Sequence, residues 1–251
     1  MQAEEESKVK SDATEHAKPL AGDPSCYASG EARPRFRGAV HFGASVVTAS
    51  AILVLLIPAA SDCAVWPLLG YLCGKLACYS ASAYYHTSKA TASCEQQLRT
   101  ALAVDRVCVS VSVLASGIPF ADAGFELYYG ASITFLLLVV LAVFGGTLAL
   151  KNVVIFWQTV FCVSFIGAAT GGSGMWALSS TFVLMSLLFF LPVLLRTGHG
   201  AARKEAVVSW MPWHERGVYG AHEDFHLFNV AADVCYFATA AVYVDALQCD
   251  N

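Results

Sequence analysis

The chain has 251 residues, of which 57% are hydrophobic and only 14% charged, and its formal charge is -4. That balance points to a polytopic membrane protein and excludes a soluble core. It also excludes a nucleic-acid-binding role, because no basic, aromatic-rich stripe occurs. The nine cysteines lie mostly inside apolar stretches (among them Cys73, Cys78, Cys108, Cys162 and Cys235) and show no CxxC spacing, so they read as small packing residues.

In chain order, residues 1–36 read as a disordered polar cytosolic tail. Glu4-Glu5-Glu6 and Lys8-Val9-Lys10 leave too little apolar surface there for a core. No apolar stretch follows Met1, so no signal peptide is expected. Residues 37–251 read as one all-α domain, a seven-transmembrane helix bundle with segments Ala39 to Ala59, Val65 to Tyr85, Leu102 to Phe120, Leu127 to Leu150, Val153 to Gly171, Met175 to Leu195 and His222 to Leu247. At ~1.5 Å per residue each can cross a hydrocarbon layer of ~30 Å. Gly145-Gly146 and Gly171-Gly172 read as places where helices approach closely or a span ends, and Trp210 and Trp213 as interfacial anchors.

Basic residues set the orientation. Lys75 and Arg106 fall within spans; the other Lys and Arg lie in the tail or in alternate loops, and the remaining loops have none. The positive-inside rule then places the N-terminus in the cytosol and the C-terminus outside or in a lumen. Cys63 and Cys249 would share the oxidising side, where a disulfide is one option.

With that topology, five residues from three segments reach one membrane level, at the cytosolic boundary: Ser82 and His86 ending the second segment, Asp105 opening the third, and His222 and His226 opening the last. A four-residue step is about one helical turn, so His222 and His226 share a face. Three histidines with a coordination position left over form the pattern of a catalytic zinc. The plain alternative for any one histidine is an interfacial side chain, but polar groups inside a membrane are expensive and usually face a cavity or a partner. His41, near the cytosolic end of the first segment, reads as a helix-packing residue that could instead stand behind the metal ligands; His199 and His214 read as solvated.

These residues resemble those of the progestin and adipoQ receptor family, which includes the bacterial hemolysin III-like proteins. The matching features are Ser82-x3-His86-Thr87, Asp105 after a short basic loop, Ile118-Pro119, and His222-x3-His226-Leu227; Arg37-Gly38-Ala39-Val40-His41 is similar to the hemolysin III-like branch. The resemblance implies a seven-helix bundle holding zinc through His86, His222 and His226, with Ser82 and Asp105 beside it. Some members resemble ceramide amidases and others are described as receptors. Two departures stand out: Arg106 where the family commonly has histidine or tyrosine, and Lys75 in mid-span.

The leading functional reading is a zinc-dependent hydrolase of an amide or ester of a membrane lipid. Asp105 would be the general base, and Ser82 would orient water or the ligands. The rival is a receptor for a lipid or hormone-like ligand in which zinc only ties helices together. A hemolysin-type lytic pore has little support, because the spans carry no ring of acids. One further expectation concerns mid-membrane charge. Lys75 is eleven residues before His86, and Asp233 is eleven after His222 and seven after His226, so both project on the ligand faces. They are expected to pair ~13–17 Å from the metal level.

Overall fold

In the computed structural model, residues 35–59, 65–88, 95–123, 125–146, 148–171, 174–195, 212 and 221–249 are described. Among them there are seven α-helices and no strand: α1 (Arg35–Ala59), α2 (Val65–Thr87), α3 (Glu95–Ser116), α4 (Phe125–Phe144), α5 (Leu148–Ala169), α6 (Gly174–Leu195) and α7 (Ala221–Cys249), with a 3-10 turn at Ile118–Ala123. Five of these helices (α1, α3, α4, α5 and α7) are long and apolar enough to cross a membrane. In lipid the backbone must satisfy its own hydrogen bonds, which is why so apolar a chain resolves into helices. Hydroxyls follow the same rule: Thr48, Thr159 and Thr239 each donate to the carbonyl four residues back, at 2.8, 2.9 and 3.0 Å. The protein is an integral, multi-pass membrane protein.

The helix bounds correct the sequence reading in two places. The third segment starts at Glu95 rather than Leu102, so Asp105 does not open α3 but lies well inside it. Its start is too polar for hydropathy to register, whereas backbone hydrogen bonding continues through it. The fourth segment stops at Phe144, not Leu150, and the fifth starts at Leu148, not Val153, so Lys151 lies in α5 and not in a loop. Gly145 donates to Leu141 at 2.8 Å, and Gly146 takes φ 74°, a left-handed geometry that ends the helix before α5 begins. The Cys63–Cys249 option, Trp210, Trp213, His199, His214 and the tail before residue 35 lie outside the described residues or side chains.

Consecutive helices pack together, α3 also meets α5, and α7 returns to α1 and α2 to close the bundle. Tyr71, Phe120, Tyr128, Ile166 and Tyr236 form a core at the end where α2 and α4 begin and α3 and α5 finish. Large apolar side chains such as Ile57 and Phe144, 79% and 74% exposed, cover the outside; a bundle wrapped in lipid leaves that surface uncovered by protein.

The Lys75–Asp233 pair forms as expected. Lys75 Nζ lies 2.7 Å from Asp233 Oδ1, with side-chain exposures of 9% and 23%. Tyr79 donates its hydroxyl to Asp233 Oδ2, and Tyr71 donates to the Asp233 backbone carbonyl at 2.9 Å. The ammonium also stands 5.3 Å from the Tyr71 ring centre. A mid-span lysine is thus neutralised by α7, and α2 and α7 are tied at a fixed height.

Candidate metal centre

The site is built at the end of the bundle opposite the aromatic core. Its first determinant is Gly38. A Cβ there would come within 2.7 Å of Thr87 Cγ2, so the start of α1 lies almost against the end of α2. One turn later His41 is buried and brought beside Ser82, whose Oγ lies 3.1 Å from His41 Nε2. His86, in the last turn of α2, stacks at 5.6 Å between ring centres with an interplanar angle of 11° to His41. From α7, His226 meets His41 edge-on at 4.1 Å and lies 6.0 Å from His86. One nitrogen from each of His41, His86 and His226 lies within 4.8 Å of the others, so the three form a group able to hold a metal ion.

The donor chemistry fits zinc. At Zn–N distances of ~2.0–2.1 Å, tetrahedral ligand nitrogens stand about 3.4 Å apart. Closing from 4.8 Å to that spacing needs each imidazole to move by less than about 1 Å, which small side-chain rotations supply. Tyr85 and Phe225 lie beside His86 and His226 at 4.8 and 4.9 Å between ring centres.

Asp105 reaches the group from α3. Its carboxylate faces the Ser82 hydroxyl, while its buried Oδ1 has no hydrogen-bond partner among the described residues. Ser82 therefore stands between His41 and Asp105 and couples α1, α2 and α3. Of the residues singled out from sequence, the structure joins His86, His226, Ser82 and Asp105. The backbone of His222 is one turn before His226 on α7, and its side chain lies outside the described residues. His41 is the addition. A single histidine near the end of an apolar segment suggested helix packing, whereas the tertiary contact at Gly38 makes it part of the metal-competent group. The available signal was its place at the same membrane level as His86.

The haemolysin-III related family model matches residues 30–237, most of the chain and every helix that contributes to the site. The chain belongs to the haemolysin-III related family. No curated protein matches it. The matched region spans His41, Ser82, His86, Asp105, His222 and His226, so the family assignment and the cluster concern the same part of the molecule.

Proposed function

We propose that this haemolysin-III related protein is a seven-span hydrolase that uses zinc to cleave an amide or ester of a membrane lipid, with its N-terminus in the cytosol and its C-terminus outside or in a lumen. The observation that carries the reading is the convergence of His41, His86 and His226 with Ser82 and Asp105 at one end of the bundle. The seven-span count counts α2 and α6 as crossings too. They are 23 and 22 residues long, and the Asp233 counter-charge offsets the lysine that lowers the hydropathy of α2. The alternation of basic and uncharged loops supports the orientation.

His86 and His226 would hold the ion, with His41 or His222 as the third imidazole. Zinc bound there supplies Lewis acidity and lowers the pKa of its water to about 7. Asp105 is placed to take a proton on its unengaged Oδ1 and deliver it to the leaving group as general acid. Ser82 orients that carboxylate and holds His41 by its ring nitrogen. Ser82 is not assigned as nucleophile, since its neighbours already use it as a positioning group. The Lys75–Asp233–Tyr79 contacts close the bundle beyond the site and keep the reacting group at the leaflet boundary.

The test has two stages. Purified protein should carry about one zinc per chain, and His86→Ala and His226→Ala should each lose most of it. Comparing His41→Ala with His222→Ala identifies the third ligand. Turnover of a panel of fluorescent lipid amides and esters should then stop on chelation, and in Asp105→Asn with zinc retained. Zinc retained without turnover of any lipid would refute the hydrolase and leave the ligand-receptor reading. Full zinc retention in all four histidine variants would refute the metal site. A tag at the C-terminus that is found in the cytosol would refute the seven-span topology.

A further inference from the structure

The other departure from the family pattern, Arg106, has a companion that only the fold reveals. The helices α3 and α5 are locked by Ser110 Oγ donating to Gln158 Oε1 at 2.6 Å, Gln158 Nε2 donating to the Ser110 carbonyl at 3.1 Å, and Cys162 Sγ donating to the Val113 carbonyl at 3.4 Å. These contacts join residues 48 and 49 apart in sequence, so the two helices run parallel and in step. Continuing the register toward their starts brings Lys151 level with residue 103, about one turn below Arg106.

Lys151 is only 8% exposed, and Arg106 is partly buried. Among the described residues neither makes an ion pair or a side-chain hydrogen bond. Both interact electrostatically with Asp105, and Lys151 also feels Arg106. Two cations therefore share one carboxylate. The buried acids Glu223 and Asp224 at the start of α7 are engaged with partners of their own. A surplus cation at the edge of the hydrocarbon is costly unless an anion joins it.

We propose that Arg106 and Lys151 form a binding site for a phosphate-bearing lipid headgroup, in the leaflet that contains the histidine cluster. The guanidinium offers a planar fork to phosphate oxygens and the ammonium a point charge. Lys151 lies in the first turn of α5, where the helix dipole also favours an anion. The membrane spans begin at Arg99 and Leu150, so Lys151 stands at the edge of its span and Arg106 lies ~10 Å inside, with a side chain long enough to extend back toward the bilayer's own phosphates. A lipid is favoured over a free anion because its acyl chains can remain in the bilayer while the headgroup reaches these side chains. The site concerns binding and does not require turnover.

The test uses the full chain in neutral detergent, with and without chelator, mixed with phosphatidic acid or with diacylglycerol of the same acyl chains. Retained lipid is read by native mass spectrometry. Phosphatidic acid should be retained at least tenfold over diacylglycerol, independently of chelator. Arg106→Gln and Lys151→Gln should each cut that preference by about tenfold, while Arg106→Lys with Lys151→Arg keeps most of it. These charge-retaining changes test the site even where a glutamine variant fails to fold. Millimolar inorganic phosphate is the second arm. Phosphate binding without lipid preference would support the anion site but assign it to a soluble ligand, refuting the lipid part. No preference and no phosphate binding, or binding unchanged in both glutamine variants, would overturn the proposal.

Discussion

Breaking the Lys75–Asp233 pair one partner at a time gives the sharpest test of how this bundle is held. Lys75→Met leaves the Asp233 carboxylate with Tyr79 as its side-chain donor, and removing one member of a buried pair costs ~3–5 kcal/mol, here at the low end. Asp233→Leu is worse. Among the described residues the ammonium, with its side chain 9% exposed, then keeps the Tyr71 face at 5.3 Å and no carboxylate, and Tyr79 loses its acceptor. That orphaned hydroxyl adds ~1–3 kcal/mol. The double variant removes both charges, and replacing a buried pair by apolar side chains is often neutral, so its loss should fall back to the ~1–3 kcal/mol of the hydroxyl. Adding Tyr79→Phe should recover most of the remainder. Unfolding by sodium dodecyl sulfate titration in mixed micelles, followed by tryptophan fluorescence, measures all four variants. The double variant should be at least ~2 kcal/mol more stable than the sum of the singles predicts. Additive losses, or equal losses for the two single variants, would show that the pair and the Tyr79 bond do not act as described.

Two packing predictions follow. A Cβ at Gly117 would overlap the buried Tyr128 ring, whose hydroxyl donates to the Leu114 carbonyl at 2.7 Å, so Gly117→Ala should cost ~1–3 kcal/mol. Gly130→Ala, where nothing lies within 4 Å, should be neutral or slightly stabilising, and a thermal shift assay showing equal losses at both positions would contradict the packing. Ser110→Ala strands the fully buried Gln158 side-chain oxygen and should cost ~1–3 kcal/mol, while Ser110→Ala with Gln158→Leu should recover much of it; no recovery in the same assay would mean the two residues are not coupled.

The sequence by itself determined that this is a helical membrane protein, because a chain this apolar must satisfy its backbone within helices. It also carried the pairing of Lys75 with Asp233, which follows from counting helical turns within a span, and the shared level of Ser82, His86 and His226, which follows from the alternating direction of the segments. Asp105 was recognisable as a site residue, but its depth was not, because the polar start of α3 hides the beginning of that helix from hydropathy. Only the tertiary structure decided which histidines meet. His41 comes from a different helix, and its approach depends on the close contact at Gly38, a distance that no periodicity encodes. The same holds for Lys151 and Arg106, which are 45 residues apart and come together because Ser110 and Gln158 fix α3 against α5. Helical period reports what one helix presents along its own length; the register between helices is set by side chains far apart in sequence, and that is where this protein assembles its chemistry.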